Sequence, residues 1–510
     1  MTFAAKALTA LAWVSPRAAM TRAHALGLVQ EQRAYEGAKV GRRGDSFSAG
    51  GGSANVEISS ALARLRNRSR DLARNTAAGS RVLDVKVGQA IGTGITAVPD
   101  NGSDKIDKVV AQEWADWCGE CDIEGISNFG GLQALAWRAT LEGGDSVVRR
   151  IYRRLEADGP RVPLKLQVLE GDWIDTARDL GVFENQNSRL GVGLGPMAER
   201  TGLWLHGQHP GDFNFYGAPF VSSFVPSADL IHLYRVQRPG QVRGVPIFAP
   251  VLMTARDFAD LMDAVLVKAK TEACFAAFVK TNGEPHQNIG QALTEKGGVL
   301  GTARRVIEKL APGMIKYLNP GEEVTFANPS SSGGFESINL AAKMDFASGV
   351  GITYDELTGD LRQANYSSLR AGKIQGRRLT EQEQHLILEP QLMRRVTGWF
   401  SEAAIMAGVL RSRPRGYRWN YVMPAVEPID PRKDLEADIL AVRAGRMTPQ
   451  EFIGGWGQDW RKVVADTSTF FEQLDRTNLV LDIDPRRTSQ LGVAQAPYPT
   501  DLPVPAKAEA

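Results

Sequence analysis

The stretch from residue 351 to residue 372 reads GITYDELTGDLRQANYSSLRAG and separates two helical patterns. It is polar and carries both signs of charge, which predicts a loop over 351–366. Asn365 and Ser367 are residue types that favour the N-cap of a following helix. A long polar loop inside a compact domain is more often functional than idle, so we expect this stretch to carry function.

A long helix is predicted after this loop, over about 367–407, with a bend at Pro390 because proline lacks the backbone N–H. Arg370, Lys373 and Arg377 recur at spacings of three and four residues, which places them on one helix face. That face is predicted to be basic. The same pattern also allows a solvated surface helix in a connection between two helices.

Two further helices are predicted before the loop. The segment 251–282 has no Gly or Pro and is rich in Ala, Leu, Val and Phe, which predicts a helix of about 30 residues and about 45 Å. Its apolar residues surround most of the circumference, so protein must cover it on several sides. A shorter helix is predicted over 335–350, and the turn-rich segment 283–334 predicts an α/β insertion between the two.

The region before residue 250 alternates helices and strands. Helices are predicted over 58–78, 109–121 and 128–141, and strands over 147–152, 164–169, 203–206 and 230–234. The first helix carries several arginines, for which a solvated face is the expectation and contact with an acidic partner or DNA the alternative: Arg64, Arg66, Arg68, Arg70 and Arg74. The glycines Gly191, Gly193 and Gly195 follow no predicted strand, so they predict a loop and not a dinucleotide site.

The composition excludes several classes of protein. The 510 residues are 43% hydrophobic and 23% charged, as in an ordinary globular chain. A net charge of +2 excludes a protein that binds nucleic acid through a large overall positive charge. Three cysteines are too few for a disulfide framework. The apolar run 7–14 makes a poor signal peptide, and no stretch of 18 apolar residues predicts a membrane span.

Candidate catalytic motifs are weak. No nucleophile elbow, phosphate-binding loop or HExxH motif occurs. His206, His209 and Asp212 have ligand-like spacing, but the intervening Gly and Pro predict a polar turn, with metal binding as the alternative. Cys118 and Cys121 form a single CxxC without a second pair, which predicts thiols in a helix more readily than a zinc half-site.

Five segments, in matching order from about residue 31 to residue 480, resemble the lambda family of tailed-phage portal proteins. The first is 351–372; the others are SAN at 53–55 with LRNRSRDLARN at 65–75, HLY at 232–234 with RPGQVRGVP at 238–246, LAPGM at 310–314 with LNPGEE at 318–323, and DPRK at 430–433 with GRMT at 445–448. The motif positions singled out within them are His232, Arg238, Gln241, Arg243, Gly244, Tyr354, Gly359, Asp360, Tyr366 and Ser367.

The resemblance implies an α+β, mainly helical portal-protein fold of wing, stem, clip and crown-like regions, assembled as a ring around a central channel. On this chain it implies a sequence of regions: a flexible tail at 1–54, a wing at 55–250, a first stem helix at 251–282, a clip at 283–334, a second stem helix at 335–350, a tunnel loop at 351–366, a wing or tunnel helix with a following strand at 367–429, crown-like helices at 430–490 and a disordered tail at 491–510.

The resemblance also implies the function and the partners. A ring of typically twelve subunits at one capsid vertex would pass double-stranded DNA non-specifically during packaging and ejection. It would bind the terminase large subunit, head-completion or adaptor proteins, and the major capsid and scaffolding proteins, with no membrane, cofactor or catalysis. It would be assembled in the host cytoplasm and reside in the virion.

The residues expected to reach the channel are Arg362, Gln363 and Asn365, with Arg370, Lys373 and Arg377 on the following helix. Because DNA must slide, their contacts with phosphates should be weak and confined to the backbone. Two alternatives remain. One is a head–tail adaptor or minor capsid protein without a channel, and the other is a metal-dependent hydrolase that uses His206, His209 and Asp212.

Overall fold

The computed structural model describes most of the chain between residues 50 and 486. The described residues are 13, 15–18, 20–22, 50–153, 161–184, 186–212, 221–273, 277–281, 322–326, 335–362, 365–425, 428, 430–481, 483, 484 and 486. The chain divides into two compact units, Met1–Glu57 and Ile58–Ala510. The elements below belong to the second unit, except that the first helix begins at Ala54. The predicted tail at 491–510 lies outside the described residues, as does most of the tail at 1–54.

Helices dominate both ends of the described chain. They are α1 (Ala54–Asn75), α2 (Ala77–Ala90), α3 (Asp104–Glu120), α4 (Phe129–Gly143), α5 (Leu252–Ala273), α6 (Phe335–Val350), α7 (Tyr354–Thr358), α8 (Tyr366–Glu383), α9 (Arg394–Met406), α10 (Pro431–Arg443), α11 (Pro449–Gly455) and α12 (Trp460–Thr477). A π-helical segment, Gln384–Met393, joins α8 to α9. Within the described residues, none of the helices combines the length and apolar character needed to cross a membrane.

The strands form antiparallel sheets. They are β1 (Thr96–Pro99), β2 (Asp145–Tyr152), β3 (Leu164–Glu170), β4 (Gly181–Phe183), β5 (Gln186–Arg189), β6 (Val192–Leu194), β7 (Arg200–His206), β8 (Ser222–Pro226), β9 (Leu230–Tyr234), β10 (Ala277–Thr281), β11 (Glu322–Phe326) and β12 (Trp419–Val422). One sheet has the order β3-β2-β9 and another runs in sequence from β4 to β8. The pairs β1-β12 and β10-β11 are separate ribbons.

One hydrophobic core joins the region before residue 250 to the long helix after the loop. Trp114 of α3 lies with its ring centroid 5.0 Å from Phe400 of α9 and 5.1 Å from Trp419 of β12. Strand β12 pairs with β1, which lies more than 300 residues earlier in the chain. Elements that are far apart in the sequence therefore share one core in the folded chain.

The first predicted helix is divided in two. Helix α1 ends at Asn75, and α2 begins at Ala77. Thr76 caps α2, because its side chain accepts a hydrogen bond from the backbone N–H of Gly79. A Cβ at Gly79 would lie 2.4 Å from the carbonyl oxygen of Leu72, so only glycine permits this close turn. The single helix predicted over 58–78 was therefore wrong at its end.

The helix predicted over 251–282 is shorter than expected. Helix α5 ends at Ala273, and β10 follows it and pairs with β11. The absence of Gly and Pro did not reveal this change, because the aromatic and β-branched residues of 277–281 suit a strand with a partner 45 residues later. The helix predicted over 335–350 is confirmed as α6. The rest of the predicted insertion lies outside the described residues.

Another prediction was wrong in part. The loop predicted at Gly191, Gly193 and Gly195 contains strand β6, where a Cβ on Gly193 would come within 2.7 Å of the Phe224 ring. The helix predicted over 367–407 is present, but its middle is π-helical around Pro390. The wider turn accommodates a residue that cannot donate a backbone hydrogen bond.

Candidate DNA-channel segment

The segment 351–383, which we call the channel segment, begins where α6 ends. Thr353 caps α7 through a reciprocal arrangement: its hydroxyl accepts from the N–H of Glu356, and its own N–H donates to Oε2 of Glu356 at 3.0 Å. Gly359 ends α7 with a φ of 68°, a left-handed conformation that favours glycine. The loop predicted over 351–366 therefore contains a short capped helix, which the S/T-x-x-E pattern at 353–356 could have revealed.

Arg362 is paired within the channel segment. Its Nε lies 2.9 Å from Oδ1 of Asp360 and a terminal nitrogen 2.7 Å from Oδ2. The hydrogen bonds and charge of Arg362 lower the pKa of Asp360 to about 2, so the carboxylate stays ionised at neutral pH. The Arg362 side chain is 85% exposed, yet a carboxylate already neutralises it. Gln363 lies outside the described residues.

Helix α8 begins at the predicted cap. The Asn365 side chain accepts from the N–H of Ser368 at 2.8 Å, and Ser368 Oγ accepts from the N–H of Asn365 at 3.0 Å. Ser367 follows as an exposed residue in the first turn, and Tyr366 is the first residue of the helix. Asn365 therefore holds the helix start, which is a structural role beside the predicted channel contact.

The cations of α8 also have acidic neighbours. Arg370 lies 3.4 Å from Asp434 of α10, and Arg377 lies 2.8 Å from Glu381 one turn on. Lys373 and Arg377 line a cavity of about 600 Å³ between α8, the end of α2 and Trp456. The predicted basic face is thus largely charge-balanced and partly turned toward the neighbouring helices.

A second group of motif residues surrounds a buried carboxylate, and we call it the Asp145 cluster. Arg243 donates to Asp145 from Nε at 2.5 Å and from a terminal nitrogen at 3.2 Å, and Arg66 donates at 3.0 Å. The Nε2–H of His232 donates at 3.2 Å, while its Nδ1 accepts from Arg200 at 2.9 Å. These residues come from α1, β2, β7, β9 and the segment after β9.

The electrostatics of this cluster follow from burial and pairing. Burial alone would raise the pKa of Asp145, but the charge of Arg243, the hydrogen bond from His232 and the charge of Arg66 hold it well below its ordinary value. Burial lowers the pKa of His232 to about 4, against the opposing effect of Asp145. His232 is therefore neutral at physiological pH, and Asp145 balances buried guanidinium charge.

The other motif residues shape the backbone around the cluster. The Gln241 side chain accepts from the N–H groups of Gln237 and Arg238 and donates to the carbonyl oxygen of Arg243 at 2.7 Å. A Cβ on Gly244 would lie 1.8 Å from the carbonyl oxygen of Gly144, so a side chain cannot fit there. Arg238 itself is exposed. The motif at 238–246 thus holds Arg243 against Asp145.

The expectation of a solvated arginine face on α1 was wrong for two residues. Arg66 is 3% exposed, and Arg70 lies 2.5 Å from Glu170 and 2.6 Å from Asp172. Helical spacing could not reveal this, because the acidic partners come from β2, β3 and the turn after β3. Sequence reasoning also missed Asp145, since nothing local distinguishes it from a surface aspartate.

The three residues of the alternative metal site are not brought together as a set. His206 lies 3.8 Å from Asp175, His209 lies 3.3 Å from Glu170, and Asp212 is exposed. In the described part of the chain, the group whose ligand atoms converge is Glu170, Asp172 and His209. Arg70 already bonds both of those carboxylates, and its positive charge opposes a cation there.

The two cysteines of the CxxC motif are free thiols at the end of α3, as predicted. Cys121 is buried and Cys118 is half-buried. Burial raises the pKa of Cys121 to about 12 and that of Cys118 further. Both thiols are therefore protonated at neutral pH and are poor nucleophiles.

Comparison with known proteins agrees with these observations. The family model described as phage portal protein, lambda family, matches residues 40–384. The chain is 27% identical over 393 residues to a probable portal protein of Halomonas phage phiHAP-1, covering 73% of each chain. It is 22% identical over 314 residues to portal protein B of Escherichia phage lambda, covering 55% of this chain and 58% of that one.

A solved structure gives a weaker likeness. A chain from the neck of a native gene transfer agent particle, computed with C12 symmetry, is 15% identical, with a TM-score of 0.41 over 75% of this chain and 91% of that one. The family model covers well over half of the chain, including the Asp145 cluster and the channel segment. The chain therefore belongs to the lambda family of phage portal proteins and serves as a portal, the connector between head and tail.

Proposed function

We propose that copies of this portal protein close into a ring, expected to hold twelve, around a channel that passes double-stranded DNA without holding it. The exposed surfaces of helices α5 and α6 favour a ring, because large apolar side chains on both helices are exposed to water in a single chain. Met253 is 63% exposed, Leu266 51% and Ile338 53%. Neighbouring subunits would cover such residues.

The charge pairing of the channel segment is the observation that carries the conduit role. Arg362 pairs with Asp360, Arg370 with Asp434 and Arg377 with Glu381. Each unpaired cation that meets a phosphate adds affinity by releasing counterions, and a ring would repeat that contact in every subunit. Internal carboxylates compete for these cations, so the wall attracts the DNA backbone weakly and lets it slide.

The remaining roles are those that membership of the portal family implies. The chain acts as a conduit, while the terminase large subunit supplies ATP hydrolysis and docks, with head-completion proteins, on the segment 283–334. Major capsid and scaffolding proteins surround the ring during assembly in the host cytoplasm, and the ring remains in the virion. Channel contacts are assigned to Arg362, Gln363, Asn365, Arg370, Lys373 and Arg377.

The test compares two opposite changes in assembled particles. Arg362→Ala with Lys373→Ala should alter the length of packaged DNA or its retention. Asp360→Ala should release Arg362 to bind phosphate and slow DNA movement, most strongly at low salt. The exposed pair Arg432→Ala with Glu436→Ala on α10 is the matched control. Unchanged DNA length and retention in all variants would refute the channel assignment.

A further inference from the structure

An apolar groove of about 640 Å³ lies beside helix α5. Its walls come from α1, α2, α5, α6 and α7, and Phe258, Met262 and Phe346 are among its large apolar lining residues. The charged residues among its lining are Arg81 and Lys343, and both are cations. An open apolar groove with a cationic rim fits a partner that carries apolar groups between acidic ones.

The face of α5 opposite the groove combines acidic side chains with an apolar one. At 3.6 residues per turn, Met253, Asp257 and Asp260 follow one line along the side away from the groove, and Asp263 lies beside it. All four are exposed, and we call them the acidic stripe. Arg256 pairs with Asp260 at 3.3 Å, so three aspartates stand against one arginine on this face.

We propose that the groove of one copy of this chain receives the acidic stripe of a second copy. Arg81 and Lys343 then face Asp257 and Asp260, and Met253 enters the apolar groove. This inference rests on the proposed ring and names the contact that closes it. Because groove and stripe lie on opposite sides of one helix, the contact is head-to-tail, and such contacts propagate until a ring closes.

The test reverses the charge of each surface separately in the full chain. One variant carries Asp257→Lys and Asp260→Lys, and the other carries Arg81→Glu and Lys343→Glu. Each alone sets like charges against each other and is expected to lose the ring in native mass spectrometry. Mixing the two should restore rings of alternating variants with an even subunit number, because every interface is then complementary. Asp116→Lys with Glu120→Lys on α3 is the control and should assemble as the wild type does.

The outcomes separate this contact from the ring itself. If the two charge-reversed variants each assemble as the wild type does, the contact is overturned while the portal role stays intact. Monomers that persist after the variants are mixed would have the same consequence. A wild-type chain that never assembles would overturn both. The milder Asp257→Asn with Asp260→Asn avoids misfolding and should raise the protein concentration needed for assembly by about two- to thirtyfold. No change in that concentration would also overturn the contact.

Discussion

Replacing Asp145 with asparagine tests the buried charge cluster most sharply. The amide keeps the shape of the carboxylate but removes its charge and turns an N–H group toward guanidinium donors. Arg66 would keep Asp172, which lies 3.2 Å away. Arg243 is fully buried and would keep only neutral acceptors, the carbonyl oxygens of Leu190 at 3.0 Å and Gly171 at 2.8 Å.

The expected loss in the free energy of unfolding follows from these contacts. Removing one partner of a buried ion pair costs about 3–5 kcal/mol, because the remaining charge is left uncompensated. The folded-to-unfolded ratio should therefore fall by two to three and a half powers of ten, roughly. Asp229→Asn is the matched control, since Asp229 is 43% exposed and its partner Arg150 also pairs with Glu402. There the expected loss is below about 1 kcal/mol.

Urea unfolding followed by tryptophan fluorescence measures both variants. The titration is run at two protein concentrations, because any contribution from assembly depends on concentration and a contribution from the cluster does not. If Asp145→Asn unfolds within about 1 kcal/mol of the control, the cluster does not hold the fold together and the reasoning is wrong.

Two further predictions concern His232 and Asn365. Because burial lowers the pKa of His232 from 6.5 to about 4, the unfolded chain binds a proton that the folded chain excludes. The free energy of unfolding should therefore be highest above pH 6.5 and should fall by about 3 kcal/mol on acidification to pH 4. If the urea midpoints of the wild type and of His232→Gln depend equally on pH, this prediction is wrong. Asn365→Ala removes the cap of α8 at a cost of about 1 kcal/mol. Hydrogen exchange of the first amides of α8 should then accelerate about fivefold. The control Asn420→Ala should leave the exchange rate unchanged. Equal exchange rates in the wild type and Asn365→Ala would contradict the capping role.

Local sequence was enough where local physics decides the structure. The helix over 335–350 was predicted correctly, and strand β9 at 230–234 was located to the residue. Asn365 was identified as a cap because its short side chain can reach the backbone of its own helix. The family segments likewise pointed to Arg66, His232 and Arg243 of the Asp145 cluster and to the channel segment before their contacts were known, but not to Asp145 itself.

The rest required partners that are distant in sequence. Arg66 reads as a surface residue until Asp145 and Asp172 are placed beside it by β2 and the turn after β3. The end of α5 at Ala273 depends on β11, which supplies the partner of β10. The pairing of Arg370 was missed for the same reason, since Asp434 comes from a helix that begins 48 residues after α8 ends.

The subunit count of the purified, assembled chain tests the central claim most directly. Native mass spectrometry should give one closed species at a whole-number multiple of the 55.5 kDa chain, expected at twelve copies, and negative-stain images of the same sample should show rings with a central hole. A monomer, or an open series of sizes without a pore, would contradict the account of this protein as a channel for DNA.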